Sequence, residues 1–375
     1  MEIEVRRRYS DAAKRREEAL CCPVEYDARY LAVIPPEVLE RDYGCGDPSR
    51  YVQPGDHVLD LGSGAGKLCF IAAQATGKEG RVVGIDMNDE MLALARRAAP
   101  QVAERIGYGN VTFRRARIQD LRLDLDRVDA WLAENPVRGA GDLAGLEALC
   151  ERLREESPLV RDESIDLVIS NCVLNLVRSE DKHTLIGEIF RVLRRGGRVA
   201  IADIVSDEPV PDELKRDPEL WSGCISGAFQ ERELLGALEA AGFYGLRIEA
   251  WTEEPFRVID GIEFRSVTVT GRKGKEGPCW EARQAVVYRG PWRQVEDDDG
   301  QVLRRGERTA VCAKTFGILT SAPYAEDLIP IEPRKAVPED ARELFDRSRD
   351  VRRDPRETKG RDYSVTRTSG SSSCC

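Results

Sequence analysis

The sequence contains little histidine and little methionine, with two and three residues in a chain of 375. No apolar run reaches the roughly 18 residues of a transmembrane helix, and the start shows no secretory signal. The net charge of −10, with both signs interspersed, gives no electrostatic reason to expect a nucleic-acid partner. No two cysteines have the C-x-x-C spacing of a zinc finger. We therefore expect a cytosolic monomer with neither a nucleic-acid nor a membrane partner.

Cysteine, in contrast, is abundant, with eleven residues. In a reducing compartment these residues should be thiols, so a structural disulfide framework explains them poorly. Either they are scattered core residues, or several of them converge on a ligand that prefers sulfur.

A short apolar run, His57–Leu61, leads into three glycines at alternate positions and then into a helical segment. A strand that enters a helix through a glycine turn presents backbone N–H groups to a nucleotide-like ligand. Asp86 ends a second predicted strand 20 residues after Gly66, the spacing at which an acid accepts ribose hydroxyls. The glycines follow G-x-G-x-G rather than the pattern of a pyrophosphate binder, and Asp60 offers a carboxylate to a cation. These features favour S-adenosylmethionine (SAM) over NAD or a turn without function.

The candidate cofactor-binding residues follow the ends of predicted strands. Acids at strand ends often only cap turns, but the glycine motif between Asp60 and Asp86 favours cofactor contact. Ile118 and Gln119, after the third strand, are expected to cover the adenine. The full set is Asp60, Gly62, Ser63, Gly64, Asp86, Met87, Ile118, Gln119 and Asn171.

Strands and helices alternate along the middle of the chain. Strands are predicted at 57–61, 81–86, 110–115, 164–170 and 198–204, and helices from about 66 and at 88–99, 180–193 and 230–241. Two further strands, near 246–251 and 264–271, follow without a helix between them. This order predicts an α/β fold with a doubly wound, mostly parallel seven-stranded sheet, the Rossmann-like fold of SAM methyltransferases.

Changes in composition divide the chain into segments. We expect an N-terminal helical lid and thiol flap (1–55), a methyltransferase domain (56–271), a small C-terminal α+β module (272–334) and a disordered tail (335–375). The domain carries an insertion at about 121–163, whose leucines predict a surface helix on the sheet edge rather than a partner-binding helix.

Four cysteines are predicted to meet at one rim of the sheet. Cys69 lies in the first turn of the helix after strand one, Cys172 follows strand four, and Cys224 follows strand five. Cys45, on a Gly-Cys-Gly loop, can reach the same place. The carboxyl ends of parallel strands share one rim, where the reversal of the winding forms a ligand crevice. The helix N-terminus favours a thiolate at Cys69, whereas Cys279 and Cys312 are expected to be core residues.

These residues resemble the arsenite methyltransferases, over about residues 20–334. The resemblance lies in Tyr43-Gly44-Cys45-Gly46, Cys69, Ser170-Asn171-Cys172-Val173-Leu174-Asn175-Leu176 and Gly223-Cys224 with Gly227-Ala228. It implies that Cys172 and Cys224 bind trivalent arsenic, with Cys69 as a third ligand, and that Cys45 and Cys69 join them in thiol–disulfide chemistry. Gly223, Ser226 and the insertion depart from the family pattern, which leaves the preference for arsenite or methylarsenite open.

The implied reaction needs soft ligands rather than a general base. Thiolates select thiophilic centres, and the lone pair of thiol-bound arsenic can attack the sulfonium methyl without loss of a proton. Two thiols that close to a disulfide can reverse the oxidation of arsenic, and thioredoxin or glutathione can reset them. The alternatives are a SAM methyltransferase of an organic metabolite and a non-catalytic metalloid-binding protein. Cys21-Cys22 and Cys374-Cys375 could deliver arsenic or exchange disulfides, and the absence of any role is an equal alternative.

Overall fold

The computed structural model describes residues 2–15, 17 and 24–364, so Cys21-Cys22 and Cys374-Cys375 lie outside the described residues. The strands are β1 (His57–Leu61), β2 (Arg81–Asp86), β3 (Val111–Arg115), β4 (Ile165–Asn171), β5 (Leu193–Ser206), β6 (Phe229–Gln230), β7 (Tyr244–Trp251), β8 (Arg257–Ile259), β9 (Ile262–Arg272), β10 (Ala285–Tyr288), β11 (Gln294–Glu296), β12 (Val302–Arg304), β13 (Arg308–Ala310) and β14 (Leu328–Ile331). The helices are α1 (Glu2–Lys14), α2 (Ala28–Leu31), α3 (Pro36–Glu40), α4 (Lys67–Thr76), α5 (Asp89–Ile106), α6 (Leu125–Glu134), α7 (Ala140–Glu156), α8 (Lys182–Val192), α9 (Asp212–Lys215), α10 (Pro218–Ser222), α11 (Glu231–Ala240), α12 (Ala313–Leu319) and α13 (Pro355–Lys359).

The main sheet has the strand order β3-β2-β1-β4-β5-β9-β7, with the short strands β6 and β8 beside β5 and β9. β1 pairs in parallel with both β2 and β4, so the winding reverses between β1 and β4. β9 runs antiparallel to its neighbours β5 and β7. This topology confirms the predicted doubly wound, mostly parallel sheet. It also brings the carboxyl ends of β1 and β4 side by side, where ligands bind in such folds.

Alternating side chains of the central strands supply two cores. Val58 packs with residues of α4 and α5 on one face of the sheet, whereas Leu59 and Leu61 pack with residues of α8 and α11 on the other. Every residue of β4 is buried, as expected for a parallel strand covered on both faces. The central strands are therefore fixed on both sides, and only their carboxyl ends are free to present functional residues.

The insertion forms α6 and α7, which pack on each other, and α6 contacts the edge strand β3. Leu149 and Leu153 are buried against Val128, whereas Leu143 is exposed. Cys150 is half-buried on α7, as predicted for a helix residue. The insertion is thus a surface helical pair on the sheet edge.

A second compact unit begins at Lys275. It contains a three-stranded sheet in the order β13-β10-β14, the hairpin β11-β12, and the helices α12 and α13. The prediction of a disordered tail from 335 is wrong for residues 335–364. There, Arg353 is fully buried and pairs with Glu281 (2.9 Å) and Glu357 (2.7 Å). Some of the charged residues in this segment therefore form ion pairs within the folded unit rather than facing solvent.

No helix in the described part of the chain combines the length and the apolar character that crossing a membrane requires.

Arg198 on β5 forms a buried ion pair with Asp56 at 2.6 Å, and it also donates to the carbonyl of Tyr51 at 2.6 Å. The substitution Arg198→Met leaves the Asp56 carboxylate buried without its cation. We therefore expect the free energy of unfolding of the N-terminal unit to fall by about 3–5 kcal/mol in chemical denaturation. Arg178→Met, which removes an exposed ion pair with Asp181, should change it by at most about 1 kcal/mol. An equal loss of unfolding free energy in the two variants would contradict the expectation that the buried Asp56 carboxylate needs the Arg198 cation.

Candidate active site at the carboxyl end of the sheet

A cavity of about 1110 Å³, counted with its open mouth, lies at the carboxyl ends of β1, β2 and β4. Val5, Arg6 and Tyr9 of α1 cover one side of it. The structure places every predicted cofactor-binding residue in its lining: Asp60, Gly62, Ser63, Gly64, Asp86, Met87, Ile118, Gln119 and Asn171. Their contact with a cofactor stays a prediction.

The glycine turn after β1 is shaped by close backbone packing. Gly62 and Gly66 have positive φ angles of 70° and 93°, a region that side chains other than glycine rarely adopt. A side chain at Gly62 would collide with Val173, and one at Gly66 would meet the Phe113 ring at 2.7 Å. The turn therefore lies directly against the segment that follows β4.

The polar groups of the cavity fit a cationic nucleoside. Asp86 accepts hydrogen bonds from the backbone N–H groups of Gly64 and Asn88, both at 2.8 Å. Burial, aided by the nearby carboxylates of Asp42 and Asp86 and opposed by the hydrogen bond from the Cys69 thiol, raises the pKa of Asp60 to about 7. The buried hydroxyl of Ser63 has no partner among the described residues. Clustered carboxylates and an unpartnered hydroxyl fit SAM, which carries an ammonium and a sulfonium but no phosphate.

Cys69 lies apart from the other three candidate cysteines. Its thiol is fully buried and donates to the Asp60 carboxylate at 3.2 Å, and a side chain at Gly84 would meet its sulfur at 2.8 Å. Burial and the Asp60 charge raise its pKa well above the usual value, so the prediction of a thiolate is wrong here. The structure also does not bring Cys69, predicted as a third arsenic ligand, to the other candidate cysteines, because α4 packs its side chain against β2.

Cys45, Cys172 and Cys224 share one buried apolar cluster. Cys45 and Cys172 are disulfide-bonded, with their Cα atoms 6.0 Å apart. The Cys224 thiol donates to the Cys172 carbonyl at 2.8 Å. The structure thus brings together three of the four predicted cysteines, and Cys172 also lines the cofactor cavity.

Unusual backbone geometry directs two of these thiols. Cys172 and Cys224 have positive φ angles of 56° and 60°, a strained conformation that persists only where its surroundings enforce it. The Cys172 N–H donates to the Ala202 carbonyl at 2.8 Å. The Asn175 side chain donates to the carbonyls of Ile204 (2.7 Å) and Cys224 (3.2 Å). These hydrogen bonds tie both cysteine loops to the end of β5.

The loop that carries Cys45 is held down mainly by Asn171. The Asn171 carbonyl oxygen accepts from the N–H groups of Cys45 (2.9 Å) and Gly46 (3.2 Å), and its amide donates to the Gly46 carbonyl (2.8 Å). A side chain at Gly44 would collide with Asn171, and one at Gly46 would meet Ala202 at 2.6 Å. The two glycines are therefore required for Cys45 to reach Cys172.

Three functional candidates were not predicted from the sequence. A carboxylate oxygen of Asp203 lies within 4.8 Å of the Cys45 and Cys172 sulfurs, and burial raises its pKa to about 6. The only feature of the sequence that could have indicated Asp203 is the presence of an acid among the apolar residues of β5.

Tyr9 forms a side-chain hydrogen bond with Cys224, which no local sequence pattern could indicate.

Lys182 is the third of these residues. Its ammonium is buried, donates to the Gly227 carbonyl and lies 4.0 Å from the centre of the Phe229 ring. Burial lowers its pKa to about 8, and the charge of Asp203 opposes this shift. Its position at the start of α8, among other charged residues, gave no sign of burial.

The fold, the glycine turn and the acidic cavity define the protein as a SAM-dependent methyltransferase. Residues 53–156 and 143–242 match a methyltransferase domain family, and residues 275–363 match a domain family of unknown function.

Curated relatives identify the family within this class. The arsenite methyltransferase of Aquipseudomonas alcaligenes is 31% identical over 309 residues, which cover 79% of this chain and 78% of the relative. That of Mus musculus is 29% identical, covering 85% and 79%. The crystal structure of an arsenic(III) S-adenosylmethionine methyltransferase from Chlamydomonas reinhardtii is 27% identical, with a TM-score of 0.56 and coverage of 87% and 100%. The chain belongs to the arsenite methyltransferase family.

The pKa of Asp60 predicts pH-dependent cofactor binding. Only the ionised carboxylate attracts a cation, and in the free protein burial holds this pKa at about 7. Below pH 7 binding must expel a proton, so we expect the dissociation constant of S-adenosylhomocysteine to rise by up to about tenfold per pH unit. Calorimetry at several values between about pH 6 and pH 8 measures how the dissociation constant changes with pH. Asp60→Asn should flatten the slope, and an unchanged slope in this variant would refute the assignment.

Proposed function

We propose that the protein transfers a methyl group from SAM to trivalent arsenic held by the thiolates of Cys172 and Cys224. The observation that carries this proposal is the meeting of two sites at the end of β4. Cys172 lines the cofactor cavity and accepts a hydrogen bond from the Cys224 thiol, and the next residue, Val173, packs on the glycine turn. A substrate on these thiols would therefore lie beside the bound cofactor.

The main task of the protein in this reaction is to position the arsenic nucleophile and the methyl group. When bound, the cofactor supplies an electrophilic methyl group on a sulfonium. Thiolates prefer soft centres such as arsenic, and arsenic bound to them keeps the lone pair that forms the new As–C bond as the C–S bond breaks. No proton leaves arsenic, so the near absence of histidine is no obstacle. Alignment of nucleophile and methyl can supply about 7–11 kcal/mol of the barrier.

The Cys45–Cys172 disulfide suggests how the site returns arsenic to the trivalent state. Methylation formally oxidises arsenic from +3 to +5, and two thiols that close to a disulfide return the two electrons and release two protons. The pairing of Cys45 with Cys172 supports Cys45, rather than Cys69, as the partner in this step. A thioredoxin or glutathione thiol would then reduce the disulfide by exchange. That reductant, a monomeric state and a cytosolic location stay predictions from the sequence.

Two charged side chains support the thiol loops. Asp203 accepts from the N–H groups of Val173 (3.1 Å) and Leu174 (2.9 Å), which orients the segment after Cys172. Lys182 binds the Gly227 carbonyl in the loop after Cys224. We infer that Asp203 and Lys182 are positioning residues, because each acts on a thiol through the backbone.

Substitution of the arsenic thiols tests the proposal directly. We expect Cys172→Ser and Cys224→Ser each to lower arsenite methylation by about 100-fold or more, because loss of one ligand misplaces the nucleophile. The assay incubates the protein with SAM, arsenite and a thiol reductant and resolves the arsenic species. Cys150→Ser, on the distant helix α7, is the matched control. Methylation retained in Cys172→Ser or Cys224→Ser would overturn the assignment, and arsenic binding by the wild type without turnover would indicate sequestration.

Cys45 should matter unequally for the two substrates. We expect Cys45→Ser to impair the methylation of arsenite more than that of methylarsenite. Initial rates with each substrate, under the same reductant, measure the difference. Cys172→Ser, which removes an arsenic ligand, should lose both activities and serves as the reference. If Cys45→Ser lowered the rates with arsenite and with methylarsenite equally, this prediction would be wrong.

A further inference from the structure

The unit that begins at Lys275 contains a second pair of thiols, Cys279 and Cys312, which the proposed reaction does not use. The sequence predicted both as core residues. Cys312 is indeed buried, but Cys279 is only half-buried. The Cys312 side chain lies close enough to Cys279 to help lower its pKa, so the two residues are a thiol pair rather than two isolated core residues.

Backbone hydrogen bonds hold the two cysteines side by side. The N–H of Ala313, next to Cys312, donates to the carbonyl of Trp280, next to Cys279, at 2.8 Å. The Cys279 carbonyl accepts from the Phe345 N–H at 2.8 Å. Cys312 precedes α12, and its sulfur accepts from the Thr315 N–H at 3.4 Å. These hydrogen bonds therefore hold the backbone segments that carry the two cysteines next to each other.

Cationic side chains surround the accessible member of the pair. The Arg347 guanidinium donates to the Cys279 sulfur at 3.5 Å. Burial alone would raise the pKa of Cys279, but the hydrogen bonds from Arg347 and Cys312 and the charge of Lys314 outweigh it and lower this pKa. Cys279 is thus a reactive thiol in contact with a second thiol.

We propose that Cys279 and Cys312 together bind a trivalent arsenical such as methylarsonous acid. Each thiol displaces one hydroxyl from arsenic, so two As–S bonds form, two As–O bonds break, and the thiol protons leave in two molecules of water. Arsenic stays trivalent and no oxidant is needed. Two adjacent thiols chelate arsenic, whereas a lone thiol cannot. Only the choice of arsenical rests on the proposed function.

Protection from alkylation tests the site in the full-length, reduced protein. The protein is incubated with methylarsonous acid, excess is removed, iodoacetamide is added, and labelling of Cys279 is measured by peptide mass spectrometry. We expect the arsenical to protect Cys279 in the wild type. Protection should be lost in Cys312→Ser, because chelation needs both thiols, and retained in Cys150→Ser. Bound arsenic should fall by about one equivalent per chain in Cys312→Ser.

A second measurement needs no variant. Dimethylarsinous acid has a single exchangeable hydroxyl and cannot bridge two thiols, so it should protect wild-type Cys279 more weakly than methylarsonous acid. Cys224→Ser separates the two proposals, because it should abolish methylation and leave Cys279 protected. Equal labelling of wild-type Cys279 with and without methylarsonous acid, or full protection in a folded Cys312→Ser, would overturn the site. So would a Cys279–Cys312 disulfide that persists in the reduced protein.

Discussion

The backbone at the end of β4 is the constraint on which both halves of the active site depend. Cys172 adopts a left-handed conformation that its surroundings must enforce. Its N–H continues the ladder to β5 through Ala202, and the buried Asp203 carboxylate captures the next two N–H groups. Because Asp203 is itself part of β5, the position of Cys172 follows from the pairing of two central strands.

The same strand end connects the thiol site to the cofactor cavity. Asn171, the last residue of β4, lines that cavity and also hydrogen-bonds the loop carrying Cys45. Val173 packs on Gly62 of the glycine turn. Three consecutive residues therefore support the flap, the thiol and the cofactor turn, so a shift of one residue in the register of β4 would disrupt all three functions.

The sequence predicted the features that follow from periodicity and from strand ends. Buried strands, the glycine turn and the placement of Asp60 and Asp86 are of this kind, because local pattern and parallel topology determine them. Cys69 was misplaced because its first-turn position on a helix does not reveal which way the side chain packs. Tyr9 and Cys279 were missed because their partners lie far away in sequence and only tertiary packing brings them together. The ordered segment 335–364 was missed because paired and solvated charges have the same composition.

The N-terminal helix α1 contacts both the cofactor cavity and the Cys224 thiol. Tyr9 lines the cofactor cavity and also hydrogen-bonds the Cys224 thiol. One turn of the helix holds both contacts, since the adjacent Arg8 donates to the Glu219 carbonyl (2.9 Å) and to the Ser222 hydroxyl (3.0 Å), just before Cys224. A movement of α1 that opened the cavity would therefore also remove a partner from Cys224. Opening of the cavity and the surroundings of the Cys224 thiol are thus linked through α1.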